Sequence, residues 1–408
     1  MQTAPPGWLP GPGTKPEAVI REARRRQHRR WLAAAAALVT VVAGAAVVIA
    51  GSGGGSHPRP PARHAAATAK PAPSALSGLP MPTGSGVRLL LTGRRPAWFS
   101  LATRRAEPIK GLPWNRAGYG FIRVVGGWSA QPYTYAGPGC LPTCAGPPLP
   151  NYFIADGSPR AVRIGSGFGV SASSGSGAVW LVTFRRSSDN TGTTPARARQ
   201  VTTAGRPAGP RLRLPAGYLI QRAVGGDLLL APVSQGPGTV RYKLWDPGTR
   251  RVVGTFSDVI AAGPRQIAWG PVCVHCPVHV LDLLTGTAAT IPVPRGTWAP
   301  MNNGTFSSDG RFLAFLLSAA GPPDAALTRI AVIDTARRRL LAVPGTTLRG
   351  AAGRLSFGWQ ASGHRLIAVL PRPGQTIQVA SWQPGWAHLL VAAARIPRGT
   401  SAVLGEYG

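Results

Sequence analysis

Short apolar runs, each following a glycine-containing polar turn, recur along most of the chain. The clearest unit is 306–344, in which the apolar run Arg311–Leu317 follows the tetrapeptide Ser307–Gly310. Serine and aspartate accept backbone hydrogen bonds and glycine adopts a positive φ, so this tetrapeptide predicts a tight turn that opens a strand. Ile330–Asp334 and Leu340–Val343 predict two further strands of the same unit.

The unit repeats at a period of roughly 45 residues, the length of a four-stranded propeller blade. A glycine precedes an apolar run at Gly86, Gly118 or Gly120 (FIRVV), Gly177, Gly226, Gly263, Gly310 and Gly363. The pattern predicts an all-β fold at 87–408, a β-propeller of about seven antiparallel blades. The run SAVL at 401–404 is expected to complete a blade that begins at the other end of the domain, because an open ring would expose two sheet edges.

Two units also carry a motif. FSSDGRFLAF (306–315) and FGWQASGHRLIAV (357–369) resemble the W-S-P-D-G-x-x-I-A-F repeat of TolB-like and WD-repeat-like propellers. Asp309 and Gly310 match in the first copy; Gly363 matches in the second, where Ser362 replaces the aspartate. The resemblance implies a propeller fold and no particular function, since propellers host many activities.

The N-terminal region reads as a membrane anchor. Residues 1–30 are basic and would be cytoplasmic, and 31–50 is a stretch of 20 residues without a charge, long enough to span a bilayer as a helix. The residues at the inner boundary are Arg24, Arg25, Arg26, Arg29, Arg30 and Trp31. The positive-inside rule then places the C-terminal domain outside the cell. The alternatives are a cleaved signal peptide and, for the arginines, a nucleic-acid arm or a docking site for a cytoplasmic partner.

Composition defines the segment between the anchor and the repeats, and the charge of the whole chain. Residues 51–86, rich in Gly, Pro, Ala and Ser, predict a flexible linker. The formal net charge is +32. The Arg, Ala, Gly and Pro bias is typical of a GC-rich, actinobacterial-type genome, so the charge is either a solvated surface of biased composition or a means of binding anionic envelope material. An exported domain excludes nucleic acid as a partner.

The four cysteines form two closely spaced pairs in the predicted exported region. Cys140 with Cys144, and Cys273 with Cys276, occupy the same place in their units, the loop between the two middle strands of a blade. An oxidising compartment favours two local disulfides on one face of the ring. The alternative is a zinc site, because His275 and His279 accompany the second pair.

Motifs of known catalytic chemistry are absent from the sequence, including G-x-S-x-G, H-E-x-x-H, G-x-x-x-x-G-K and G-x-G-x-x-G before a helix. Asp156, Asp246, Asp282 and Asp334 recur at one repeat position, which favours turn capping over acid–base work. The twelve Trp are either blade-packing residues or a carbohydrate platform. No catalytic residue, metal or cofactor is expected.

The sequence therefore favours a membrane-tethered extracytoplasmic interaction module that binds a protein or an anionic envelope polymer. The competing hypothesis is a hydrolase or lyase with its active site at the mouth of the propeller channel. A third hypothesis is a sensor coupled to a cytoplasmic partner through the basic segment.

Overall fold

The structure is a computed structural model. It describes residues 75–82, 86–116, 118–132, 149–170, 177–183, 197–232, 239–271, 273–300, 302, 304–319, 326–349, 355–360 and 364–407. The predicted basic segment and the predicted span at 31–50 lie outside these ranges. Within them, no helix is long and apolar enough to cross a membrane.

The described residues form strands joined by turns, with one 3₁₀ turn at Pro373–Gln375. The first strands in chain order are β1 (Leu79–Pro80), β2 (Val87–Gly93), β3 (Ala97–Ser100), β4 (Arg105–Pro108), β5 (Tyr119–Val124), β6 (Gly127–Pro132), β7 (Pro150–Ala155), β8 (Ala161–Ser166), β9 (Phe168–Val170), β10 (Ala178–Thr183), β11 (Arg197–Thr202), β12 (Pro207–Arg213), β13 (Tyr218–Val224), β14 (Asp227–Pro232), β15 (Arg241–Asp246) and β16 (Arg251–Ser257). The remaining strands are β17 (Val259–Ala262), β18 (Gln266–Trp269), β19 (Val278–Asp282), β20 (Thr287–Ile291), β21 (Thr297–Trp298), β22 (Gly304–Phe306), β23 (Phe312–Ala319), β24 (Leu327–Asp334), β25 (Arg339–Ala342), β26 (Leu348–Arg349), β27 (Ser356–Trp359), β28 (Leu366–Arg372), β29 (Thr376–Trp382), β30 (Leu390–Arg395) and β31 (Thr400–Tyr407).

These strands pair into seven sheets, which confirms the predicted seven-bladed propeller. Blades 2 to 5 are the antiparallel sheets β5–β8, β9–β12, β13–β16 and β17–β20. Blade 6 holds β21 to β26, in which β21 and β22 both pair with β23, and blade 7 holds β27 to β30 with β1 added at its outer edge. Blade 1 has the order β31-β2-β3-β4, so the C-terminal strand supplies its first strand.

Each blade is a meander, so its connections alternate between the two ends of the sheet. One end of each sheet holds the turn between the first and second strands and the turn between the third and fourth strands, and we call this end the turn face. In blade 6 these turns are 307–311 and 335–338. The opposite end, with the loops between second and third strands and between blades, is the loop face, which in blade 5 carries 270–277. The first strands of neighbouring blades contact one another around the ring, as β22 does with β17 and β27, and line its channel.

The hydrophobic core lies between blades. Leu313, Phe315 and Leu317 of β23 are at most 1% exposed and pack toward blade 5, whereas Phe312, Ala314 and Leu316 pack toward blade 7. This is why the middle strands are apolar at consecutive positions and not only at alternate ones. The repeat-placed tryptophans Trp98, Trp128, Trp180, Trp245 and Trp382 are buried in the same interfaces, which favours blade packing for them.

One predicted repeat boundary was wrong. The FIRVV run at 121–125 largely forms β5, the first strand of blade 2, and not its second strand. The second strand is β6, GWSAQP, which follows the turn at Gly126 (φ +73). The prediction failed because β6 lacks the apolar triplet that marks second strands in the other blades, so the preceding strand was the more apolar of the two.

Residues 75–82, which the sequence assigned to the linker, contact the propeller as an N-terminal clasp. β1 runs parallel to β30, and the Met81 N–H donates a hydrogen bond to the Val391 carbonyl oxygen at 2.9 Å. Leu76 is 4% exposed within the blade 6–7 core, and the Ser77 N–H donates to the Gly345 carbonyl oxygen at 3.1 Å. The clasp therefore joins blades 6 and 7 at the outer edge of the ring.

Candidate functional site

A cleft of about 530 Å³ opens on the turn face between blades 6 and 7. We call it the blade 6–7 cleft. Its walls come from the two turns of blade 6 defined above, from β25, and from His364 and 382–386 of blade 7. The residues that give the cleft its chemistry are Arg311, Phe312, Asp334, Arg337, Arg339, His364, Trp382 and Trp386. Cationic and aromatic side chains thus meet in one concave surface.

Arg311 is held at the mouth of the cleft by the turn that precedes β23. The Ser307 hydroxyl donates to Asp309 Oδ1 at 2.6 Å, and the same oxygen accepts the Arg311 N–H at 3.0 Å. The Arg311 guanidinium lies over the Phe312 ring, with Cζ 5.0 Å from the ring centroid. Phe312 in turn stacks on Trp359 with ring centroids 5.7 Å apart. The guanidinium is exposed, and among the described residues it has no carboxylate partner.

The carboxylate of the cleft, Asp334, is already hydrogen-bonded to Arg337. Asp334 ends β24 and is 1% exposed. Its Oδ1 accepts the Arg337 N–H at 3.0 Å, and its Oδ2 accepts the Arg337 Nη1 at 3.1 Å. Arg339, which begins β25, is exposed and has no ion-pair partner within the described ranges. The cleft therefore carries a net positive charge, and its acidic group serves the turn.

The opposite wall is aromatic. The Trp382 Nε1–H donates to the Trp386 carbonyl oxygen at 3.0 Å, which fixes the turn after β29. The Arg365 guanidinium lies over the Trp386 ring, with Cζ 5.7 Å from the centroid. Guanidinium groups over aromatic faces keep N–H groups available on their outer edge, where these can donate hydrogen bonds to an anionic group in a bidentate geometry.

Asp309 is the one cleft-side carboxyl with a shifted pKa. Partial burial alone raises the pKa of Asp309, but the hydrogen bonds from the Ser307 hydroxyl and the Arg311 N–H, together with nearby His364, lower it below its ordinary value. Asp309 therefore stays ionised at neutral pH and cannot act as a general acid there.

The repeated aspartates lie in turns on the turn face. Asp246 accepts the Gly248 N–H at 2.7 Å and the Thr249 hydroxyl at 2.9 Å. Asp156 pairs with Arg123, and Asp282 lies 3.5 Å from Arg265 Nε. These contacts are structural, and each aspartate belongs to a different blade, so the structure brings no pair of them together.

The predicted turn glycine Gly310 has φ +73, and a Cβ at this position would lie 2.4 Å from Gln266 Oε1 of blade 5. The positive φ favours glycine at position 310, and a larger residue would also displace the end of the Gln266 side chain. Gly363, Cys140, Cys144 and the six residues of the predicted membrane boundary lie outside the described residues.

The second cysteine pair forms a disulfide on the loop face. Cys273 and Cys276 are bonded, with Cα atoms 5.4 Å apart, in the loop between β18 and β19. His275 Nδ1 accepts the Gly296 N–H at 2.8 Å, and the ring of His279 stacks on Trp269. Both sulfurs are consumed by the disulfide, so they do not serve as zinc ligands in this arrangement. No cluster of three metal-binding side chains occurs among the described residues.

The channel wall has polar residues on β13, the first strand of blade 4. The Gln221 amide donates to the Asn302 side-chain oxygen at 3.0 Å, and the Asn302 amide donates to the Tyr242 hydroxyl at 2.9 Å. Burial lowers the pKa of the neighbouring Arg222. Gln221 and Asn302 are amides that do not titrate, and burial raises the pKa of the Tyr242 hydroxyl, so these three residues are suited to binding and positioning groups.

Sequence reasoning missed the blade 6–7 cleft. Arg311 and Asp334 were identified only as parts of a repeat, and Arg337, Arg339 and Trp386 were not singled out. The sequence does contain a signal, because two consecutive units have basic and aromatic residues at equivalent turns. These are RF (311–312) and ARRR (336–339) in one unit, and HR (364–365) and QPGW (383–386) in the next. Equivalent turns of neighbouring blades are adjacent in space, so their side chains share one surface.

No protein-family model matches the chain, and no curated protein sequence matches it. Among solved structures it is similar to a puromycin-hydrolyzing peptidase of Mycobacterium tuberculosis, with a TM-score of 0.41 and 15% identity over 80% of this chain and 56% of that one. It is similar to Porphyromonas gingivalis dipeptidyl peptidase 4, with a TM-score of 0.39 and 13% identity over 57% of this chain and 40% of that one. The chain thus spans about half the length of these two proteins or less.

A third similar structure is a putative 6-phosphogluconolactonase from Bacteroides fragilis, with a TM-score of 0.43 and 11% identity over 79% of this chain and 98% of that one. Identities this low carry no residue roles from those proteins to this chain. The fold itself, a seven-bladed β-propeller, is shown by the sheet order of the chain.

Proposed function

We propose that this chain is a membrane-tethered, extracytoplasmic binding module whose blade 6–7 cleft holds an anionic envelope polymer. The observation that carries the proposal is the chemistry of the cleft. Arg311 and Arg339 present guanidinium groups without carboxylate partners among the described residues, in a cleft that also contains the partly exposed ring of Trp386. A polymer with phosphate or carboxylate groups on apolar rings would satisfy both features.

The chemistry of the cleft fits binding better than turnover. Its carboxylate, Asp334, is buried and held by Arg337, and the nearby Asp309 has a lowered pKa. A polymer also suits a groove that continues across two blades, because successive charged groups can contact successive turns.

The test is binding of the full chain to a defined polyanion, such as poly-glutamate or a polyol-phosphate polymer, at several salt concentrations. In the variant Arg311→Ala/Arg339→Ala, we expect affinity to fall at least about tenfold, because each charge-assisted contact contributes about 1.5–3 kcal/mol. The matched control is Arg250→Ala/Arg251→Ala in the equivalent turn of blade 4, which removes the same charge away from the cleft.

Equal losses in the two variants would show that net charge and not the cleft governs binding. Release of smaller products from the polymer, lost on substitution of a residue at the channel, would instead favour the enzyme hypothesis. If the partner is instead a peptide or protein, the cleft variant would lose binding to it, and the polyanion would not compete with it for the wild-type chain.

A further inference from the structure

The loop face carries a second basic surface, independent of the blade 6–7 cleft. Its members come from blades 7, 1 and 2 and are Arg94, Arg95, Arg116, Arg372, Arg395 and Arg398. All except Arg372 are exposed, and Arg372 is half-buried. With Trp114, we call this set the Trp114–arginine patch.

Backbone contacts bring these residues together. Gly93 at the end of β2 pairs with Thr400 at the start of β31, so Arg94 and Arg95 adjoin the turn that contains Arg398. Arg372 and Arg395 both pair with Thr376, from either side of β29.

The connection that carries Arg116 reaches the same place. A Cβ on Gly118 would lie 3.2 Å from the Gly93 carbonyl oxygen, so the backbone of this connection packs on the end of β2. The patch is therefore one surface and not a set of separated charges.

Six of the seven described aspartates lie at the other end of the ring. Asp156, Asp227, Asp246, Asp282, Asp309 and Asp334 all lie in or beside turns of the turn face. On the loop face, the described residues include one aspartate, Asp258, which is 2% exposed and accepts the Val240 N–H. Two further aspartates, Asp189 and Asp324, lie outside the described ranges. The described part of the loop face thus carries many more arginines than carboxylates; Glu107, near the end of β4, is exposed and pairs with Arg88.

An exposed tryptophan stands beside these arginines. Trp114 is 63% exposed, the most exposed of the described tryptophans in the propeller. Its loop is fixed, because the Tyr119 hydroxyl donates to the Pro113 carbonyl oxygen and the Gly118 N–H donates to the Asn115 carbonyl oxygen at 3.0 Å. The indole is thus exposed to solvent and does not pack into the core.

We propose that the Trp114–arginine patch docks the propeller on an anionic lipid bilayer. Tryptophan prefers the headgroup level of a bilayer, and clustered arginines are attracted to anionic headgroups. The predicted anchor would supply the bilayer, since a flexible chain of the length of 51–74 has a root-mean-square reach of roughly 25–30 Å. Docking by the loop face points the turn face, and with it the blade 6–7 cleft, away from the membrane.

The test uses the full chain with vesicles of phosphatidylcholine alone or with phosphatidylglycerol, read by hydrogen exchange of the segments 93–96, 109–118 and 395–399. Insertion of residues 31–50 would occur with both lipids, so the difference between them reports on the propeller. We expect exchange in these segments to slow severalfold on the anionic vesicles only, and the protection to disappear in high salt.

Two variants and a control make the result specific. Trp114→Ala and Arg94→Glu/Arg95→Glu should each lose the protection, whereas Arg250→Glu/Arg251→Glu on the turn face should keep it; circular dichroism checks that each variant is folded. Equal exchange on both lipids, or protection of both faces alike, would overturn the proposal. The proposal would also be overturned if a soluble polyanion slowed exchange in these segments and anionic vesicles did not, because the patch would then bind a polymer.

Discussion

Thr92 on β2 pairs with Ser401 on β31, and the Thr92 hydroxyl donates a hydrogen bond to the Ser401 carbonyl oxygen at 3.3 Å. This pair lies where the two ends of the propeller domain meet. We expect deletion of residues 400–408 to abolish cooperative thermal unfolding, because it removes the first strand of blade 1 and exposes the edge of β2. Circular dichroism melting measures the effect, and deletion of Gly408 alone is the control. A cooperative transition of unchanged midpoint in the longer deletion would contradict this role of β31.

Asp258 joins blades 4 and 5 in a left-handed backbone conformation. It is 2% exposed with φ +50, and its Oδ1 accepts the Val240 N–H at 2.9 Å. We expect Asp258→Ala to lower the free energy of unfolding by about 2–4 kcal/mol, because it leaves a buried donor unsatisfied and strains an alanine. Asp258→Asn keeps the acceptor and tolerates this φ, so its loss should be clearly smaller in chemical denaturation. Similar losses for both variants would argue against this account.

The turn between the third and fourth strands has a residue of positive φ in every blade. In four blades it is a glycine, and in blades 1, 4 and 6 it is Arg104 (φ +56), Arg250 (φ +57) and Arg338 (φ +53). We expect Arg338→Gly to raise the free energy of unfolding by up to about 1 kcal/mol, because it relieves the strain of a side chain in this region. The reverse change at the equivalent turn of blade 7, Gly385→Ala, should lower stability. Denaturant titration of both variants checks the opposite signs.

The lowered pKa of Asp309 predicts a dependence of stability on pH. A carboxyl whose folded pKa lies below its unfolded value stabilises the fold above the unfolded pKa, and this contribution disappears as pH falls through the folded pKa. We expect wild type to melt at a higher temperature than Asp309→Asn at neutral pH, with the difference beginning to shrink near the unfolded pKa of about 4 and vanishing only at pH values below the lower, folded pKa. A constant difference down to strongly acidic pH would show that the hydrogen bonds, and not the charge, stabilise the turn.

Most of the fold could be predicted from local sequence because each blade repeats the same pattern of a polar turn followed by an apolar strand. The apolar runs and their turns located the second strands of six blades, and residues 401–404 were expected to close the ring, as β31 does. Blade 2 was misplaced because β6 is less apolar than β5. The clasp was missed because LSGLPMP has a linker-like composition, and only the packing of Leu76 between two blades shows that it is fixed.

The cleft and the Trp114–arginine patch could not be predicted for a different reason. Arg311 and Arg339 lie in different turns from Trp386, and Arg94 is far from Arg398 in the sequence. Their proximity depends on the order of blades around the ring and on the closing pair of strands. An arginine-rich composition offers no local signal that separates these residues from the other arginines of the chain.

The clasp also decides how tension would travel through the molecule. A pull on the chain before residue 75 acts first on Leu76 and on the parallel pair between β1 and β30. Gly345 keeps this attachment close, since a Cβ there would lie 1.9 Å from the Ser77 carbonyl oxygen. The load therefore passes into blades 6 and 7 by shear along the clasp, and the Thr92–Ser401 pair is unloaded until the clasp gives way. If the chain were held at its N-terminus, the clasp would carry the force before the paired strands β2 and β31 that close the ring.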